Sequence, residues 1–360
     1  MLKLIIPTTN SKRVKVICHS FKWRTVLSSI WLKKIFIKLV ILYMGSPISV
    51  RTTRPCPISG SSNALVVSNI DRHGKELRNV ISKESSLIFV DPVPFDDTEE
   101  FYRKDYREAY KGVSRPKGKH VFRAGRNALI RFRKINELIN FHGSVLDAGS
   151  SSGEFVYLLK SRGFSAMGLE ANEGYAQFSK NELSINVNIE PFSEFSHDTQ
   201  FDAITMFHVL EHIENPLDDL GHLVKFLKPG GHLIIEVPNI LYPNMAFRNK
   251  WHPGHLFSYC KISLRDLALK LGLKVIFCDS IQDGGNLFGV FQNITEENPP
   301  VITSRMSHDM KLELLKRQGI LYRFNPLNYI KFFKKLVRLI YEKFKTNGKT
   351  AKEILDGLYS

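Results

Sequence analysis

The first 70 residues contain no aspartate or glutamate; the first acid is Asp71. The same stretch holds eleven lysines and arginines, and residues 301–360 carry a net +8. The formal charge of +16 over 360 residues therefore belongs to the two ends, because residues 71–300 carry −3. An acidic middle is a poor surface for phosphates, which counts against a nucleic-acid partner. Cysteine is also scarce: Cys18, Cys56, Cys260 and Cys278 are too few and too scattered for a disulfide scaffold. A reducing compartment, the cytoplasm, is expected. No uncharged apolar run reaches the roughly 18 residues of a spanning helix. The most apolar stretch, Phe21–Met44, is interrupted by Lys33, Lys34 and Lys38 and lacks the clean cleavage pattern of a secretory signal. What is present, 43% hydrophobic and 24% charged residues, is globular composition and excludes wholesale disorder.

The front segment reads either as an interfacial amphipathic helix or as a helix packed on the main domain. A third reading is an extension upstream of a start at Met44. The back end has a cleaner pattern. Tyr329, Ile330, Phe333, Leu336, Val337, Ile340, Tyr341 and Phe344 recur at helical spacing, with lysines and arginines largely in the gaps. Such a basic amphipathic helix suits an anionic membrane surface, or covers a core face with its lysines in water.

Between Phe141 and Asn293, strand-like and helix-like segments alternate. SVLDAGSS, SAMGLEAN, INVNI, FDAITMFHVL and HLIIEVPN read as strands, separated by helical EFVYLLKSRG, YAQFSKNELS and a segment ending in Pro-Gly-Gly. A further helix, SLRDLALKLG, precedes the strand pair LKVIFCDS and LFGVFQN. Alternating units predict a doubly wound, Rossmann-like parallel sheet, with the ligand at the carboxyl ends of its strands.

The loop after the first of these strands carries the chemistry. Asp147, Gly149 and Gly153 stand between strand and helix, and Glu170 ends the second strand. Glycines let the backbone approach a ligand, and a carboxylate at Glu170 suits the two hydroxyls of a ribose. The loop has acids at Asp147 and Glu154 and no lysine, so it is a poor host for phosphates. It suits a ligand with a cationic amine, and S-adenosylmethionine has such an amine, a sulfonium and a ribose.

VLDAGSSSGEF, GLEAN, FDAITMFHVLEHIENP and FLKPGGHLIIEVPN, in that order over Ser144–Val237 and just beyond, resemble the motifs of class I S-adenosylmethionine-dependent methyltransferases. The resemblance implies a seven-stranded sheet with an antiparallel last strand. It also implies cofactor contacts at Asp147, Gly149, Ser151, Gly153 and Glu170, with Phe207 and His208 lining the cleft. Ser151 stands where that family usually has glycine, and Glu190, Pro191 and Phe192 depart from its pattern after the third strand.

Upstream, the stretch from Arg54 to Pro94 resembles a subgroup with a small zinc-binding hairpin module before the catalytic domain. Its four cysteine positions here hold Cys56, Ser59, Ser82 and Ser85. Serine hydroxyls stay protonated and are poor zinc ligands, so no zinc is expected. The expected organisation is a basic extension (1–50), a degenerate zinc-ribbon-like module (51–98) and a helical linker or lid (99–140). The methyltransferase domain (141–300) and basic amphipathic helices (301–360) follow. Tyr102, Tyr106 and Tyr110 share a helical face, and the resemblance puts one hydroxyl, taken as Tyr106, at the acceptor site. It likewise makes His255, in KWHPGHLFSYC, the candidate base or acceptor-orienting group. His252 and His255 lack further evident metal ligands. Methyl transfer to a small molecule or glycan, including a nucleotide- or lipid-linked sugar, is the leading reading. An RNA methyltransferase and a membrane-peripheral binding protein with a vestigial fold are the alternatives.

Overall fold

The computed structural model describes residues 48–97, 100–101, 115–294 and 327–360, the last stretch in side-chain detail from residue 337. Met1–Pro47, the tyrosine run with Tyr106 and residues 301–326 lie outside the described residues.

The central sheet has seven strands. In chain order they are β5 (Ser144–Ala148), β6 (Ser165–Leu169), β7 (Val187–Asn188), β8 (Phe201–Phe207), β9 (Leu227–Pro238), β11 (Leu273–Ile281) and β12 (Asn286–Asn293). Their spatial order is β11-β12-β9-β8-β5-β6-β7. Strands β9, β8, β5, β6 and β7 pair in parallel, while β12, the last strand, runs antiparallel to both β9 and β11. The order reverses between β8 and β5, and the reversal opens a crevice at their carboxyl ends.

The strands alternate faces as pleated backbone must. Leu233, Ile235 and Val237 enter one core with Leu146, Ile204 and Leu220. Ile234, from the same strand, enters the opposite core with Val145, Val156 and Leu159. Helices cover both faces. On one lie α1 (Gly118–Leu138), α2 (Glu154–Ser161) and α3 (Glu173–Leu183). On the other lie α4 (Pro216–Val224) and α5 (Lys261–Lys270). Helix α1 buries Val121, Phe122, Gly125, Ala128 and Ile135, positions on one helical stripe. Proline at the start of α4 suits a first turn whose N–H groups lack partners.

A second sheet, of order β1-β2-β3-β4-β10, consists of Ser49–Arg51, Asn63–Ile70, Glu76–Ser82, Ile88–Val90 and Phe257–Ser258. Its last strand comes from the loop after β9, so backbone pairing of β10 with β4 ties the hairpins to the segment that follows β9. Cys56, Ser59, Ser82 and Ser85 meet here. Cys56 Sγ and Ser85 Oγ are 3.1 Å apart, Ser59 Oγ and Ser82 Oγ are 3.3 Å apart, and the Ser85 N–H donates to Ser82 Oγ. The Asp71–Gly74 turn is held by Asp71 Oδ1, which accepts from the N–H groups of His73 and Lys75.

Two C-terminal helices complete the chain, α6 (Leu327–Thr346) and α7 (Ala351–Tyr359). Helix α7 starts with a Thr350–Glu353 capping box and buries Ile354, Leu355 and Tyr359 against α1 and α2. Gly125 of α1 is the close-approach point, because a Cβ there would strike Leu355. Helix α6 is tied to α1 through Glu342, which pairs with Arg123, and Tyr341, whose ring meets Phe122 edge-on. Its outer side leaves Val337, Ile340 and Phe344 between 64% and 79% exposed. Among the described residues no helix is long and apolar enough to cross a membrane.

Candidate active site

A cavity of about 620 Å³ opens at the carboxyl ends of β5 and β8, between helix α1 and the loop before β10. Its size is that of a pocket for a cofactor-sized ligand. Asp147, Gly149, Ser151, Glu170, Phe207, His208 and His255, all singled out from the sequence, line it together. Gly153 does not; it sits behind the loop as the left-handed residue that starts α2, packed on Ile185 and Ser179. Tyr106 lies outside the described residues.

Gly149 has φ +75° and touches Val209 so closely that a Cβ would collide, which lets the chain turn sharply off β5. Ser151, in the position usually glycine, takes φ +51° itself and donates its N–H to Glu170 Oε2 at 2.7 Å. Glu170 Oε1 accepts from the Asn172 N–H at 3.0 Å. The carboxylate is thus held in place by two main-chain donors, one on each oxygen. Asp147 is buried beneath the loop and accepts from Thr205 Oγ1 at 2.6 Å. Burial pushes its carboxyl up to about 7, against the pull of Thr205 and the Arg131 charge. Ser150 Oγ, on the cavity wall, is buried with no hydrogen-bond partner. A buried acid short of counter-charge, an orphan hydroxyl and a glycine cradle fit a ligand with a cationic amine and hydroxyl groups. They fit S-adenosylmethionine. Pro191, Phe192 and Ser193 supply a mixed wall adjoining Glu170.

The rest of the cavity is a charged network that includes residues sequence reasoning passed over. His208 has φ +57° and stands between two carboxylates, with Nδ1 3.4 Å from Glu211 Oε1 and Nε2 3.2 Å from Glu236 Oε1. Burial alone would lower its pKa, but the bonds to Glu211 and Glu236 outweigh burial and hold it at about 9. Arg131 Nε donates to Glu236 Oε2 at 2.7 Å, and its guanidinium lies 4.4 Å from the Phe207 ring centre. Burial would raise the Glu236 carboxyl; Arg131 and His208 bring it down to about 2. Asn286, from the β11–β12 hairpin, donates to Glu236 Oε1 at 2.6 Å. Glu236 had a legible signal, a lone charge in the apolar strand HLIIEVPN. Arg131 had none.

Beyond His208 lies a histidine group. His212 Nδ1 donates to the Gly254 carbonyl at 2.5 Å. The His212 and His255 rings meet edge-on at 4.9 Å, and His252 stacks on His255 at 4.4 Å. Burial lowers His255 well below the ordinary histidine value, so it is a neutral imidazole at pH 7.

Residues 118–276 match the family model of a methyltransferase domain. The ubiquinone biosynthesis O-methyltransferase of Rickettsia typhi is 32% identical over 123 residues, which is 31% of this chain and 49% of that protein. Its namesake in Coxiella burnetii is 29% identical over 117 residues, covering 31% and 50%. The chain spans about half the length of these curated relatives. The solved structure of magnesium protoporphyrin IX methyltransferase from Synechocystis aligns with 54% of this chain and 97% of its own, at TM-score 0.42 and 12% identity. A SAM-dependent methyltransferase from Aquifex aeolicus aligns with 45% and 89%, at TM-score 0.38 and 16% identity. The matched stretch includes α1, which carries Arg131 into the cavity wall.

Proposed function

We propose that the chain transfers a methyl group from S-adenosylmethionine to a hydroxyl of a small molecule. The observation that carries this reading is a single cavity with two chemically distinct ends. One end has Asp147, the Gly149–Ser151 loop and Glu170, matched to the amine and ribose of the cofactor. The other has Glu211, His212 and His255, matched to an acceptor that must give up a proton. The acceptor oxygen attacks the methyl carbon. The carbon–sulfur bond breaks with its electron pair left on sulfur, and the acceptor's proton leaves toward the histidine group. The sulfonium is already a good leaving group, so alignment and proton removal are the protein's share. The relatives' name, O-methyltransferase, supports oxygen as the acceptor atom. A sugar hydroxyl, free or carried on a nucleotide or lipid, remains within this class.

Titration calorimetry with S-adenosylmethionine, followed by transfer of labelled methyl to a panel of phenols and glycosides, tests the reading. Micromolar binding and label in a hydroxylated acceptor are expected. Folded protein that binds no cofactor at millimolar concentration sinks it.

The exposed stripe of Val337, Ile340 and Phe344 supports a second element of this reading. With Arg338, Lys343 and Lys345 beside it, the outer side of α6 has the apolar and basic chemistry of an anionic lipid surface. Because α6 packs on α1, such docking would bring the cavity near a lipid-borne acceptor. Pelleting with anionic but not neutral vesicles, abolished by V337E/I340E/F344E, is expected; equal pelleting with both vesicle types refutes it.

A further inference from the structure

Glu211 is 2% exposed, and its Oε2 is buried with no hydrogen-bond partner. A buried carboxylate oxygen left unpaired is costly, so such an atom calls for a ligand. Glu211, His212 and His255 each place a donor atom within 4.8 Å of the other two. His212 gives its Nδ1 proton to the Gly254 carbonyl, which fixes the tautomer and makes Nε2 the ring's lone-pair atom. An imidazole oriented by a backbone carbonyl on its far nitrogen is the usual support behind a metal ligand. The sequence offers only His252 and His255 as neighbours. The fold adds Glu211 and His212 from the turn after β8 and leaves His252 stacked on His255 outside the donor group.

We propose that Glu211, His212 and His255 bind a divalent cation of the zinc class on the acceptor side of the cavity. Two imidazoles and a carboxylate suit zinc and its first-row neighbours and disfavour calcium and magnesium. Bonds of about 2.0–2.1 Å would draw the three donors closer than they now stand, a movement within reach of side-chain rotation. All three residues line the cavity, so an open position on the ion would face the acceptor. There the ion would make a bound acceptor hydroxyl a stronger acid, and in the metal-loaded protein its proton would pass to solvent water rather than to His212 or His255. This catalytic role rests on the methyl-transfer reading; the site itself does not.

The test is titration of the chelator-treated full chain with Co(II), followed by visible absorption, and competition with Zn(II). One equivalent is expected to bind with tetrahedral or five-coordinate d–d bands that Zn(II) abolishes. Glu211→Gln and His255→Gln should each weaken binding about tenfold or more, and His252→Gln should not. Each variant's melting curve is recorded alongside. Should a variant unfold, protection of His212 and His255 from diethyl pyrocarbonate by Zn(II) in the unaltered protein replaces it. Absence of stoichiometric binding, binding indifferent to Glu211→Gln and His255→Gln, or absence of such protection overturns the proposal. Cofactor affinity of the metal-free protein, measured separately, tells failure of this site from failure of the methyltransferase reading.

Discussion

Arg131 Nε donates to Glu236 Oε2 over 2.7 Å, joining helix α1 to strand β9 beside the cavity. The two residues are 15% and 4% exposed in their side chains, so neither charge is well solvated without the other. Arg131→Met, which leaves Glu236 buried without its strongest partner, is expected to cost about 3 kcal/mol in urea unfolding at pH 7.

The same pair sets an acid limb. The Glu236 carboxyl is held down to about 2, below its unfolded value, so its contribution is full above pH 5 and fades as pH falls toward 2. Glu236→Gln should flatten that part of the stability-against-pH curve while lowering the plateau. An unchanged slope between pH 5 and pH 3 would show that other carboxylates govern acid unfolding.

Asp147 predicts the opposite sign. Its carboxyl is raised to about 7, so ionising it in the ligand-free fold is unfavourable, and stability falls as pH rises from 4 toward 7. A cationic amine placed beside it favours the carboxylate. Cofactor affinity should therefore increase as pH rises through 7, with proton release visible as a buffer-dependent heat in calorimetry. Asp147→Asn should weaken binding and remove the pH dependence together.

The serine–cysteine cluster in the hairpin sheet offers a gain-of-function test. Four side chains from two turns already converge through the bonds Cys56–Ser85 and Ser59–Ser82. Thiolates at all four places have the donor set of a structural zinc site. The triple variant S59C/S82C/S85C is expected to bind one zinc and melt higher with the metal than without it. Metal analysis and calorimetry in paired zinc and chelator buffers read this out.

Leu355 is fully buried where α7 meets Gly125 of α1. Leu355→Ala should destabilise the chain by about 2–4 kcal/mol. Tyr359→Phe, which removes the donor to the Glu154 carbonyl at 2.9 Å, should cost about 1 kcal/mol. Thermal melts distinguish the two.

The sheet was legible because its strands are short apolar runs closed by glycine or asparagine, and every expected strand from β5 to β12 within the domain is present. INVNI shrank to Val187–Asn188 because β7 is an edge strand that pairs only with β6. Asp147 and Glu170 could be read from spacing because both lie in one strand–helix–strand unit. Arg131 and Glu236 are 105 residues apart and meet only through packing of α1 on β9. His212 likewise reaches Gly254 across 42 residues, a neighbourhood no local pattern encodes.

Helix α2, which follows the Gly149–Gly153 loop, is fastened by residues far along the chain. Tyr359 holds the Glu154 carbonyl over 205 residues of separation, and Asp356 holds the Tyr157 hydroxyl over 199. On the ribosome, α2 emerges long before these fasteners exist. A nascent chain can build the sheet and the glycine turn, yet its loop stays unbraced until synthesis reaches α7. The bracing of the loop therefore depends on α7 having been made, and a chain cut before Thr350 would leave the loop unbraced while keeping the sheet intact.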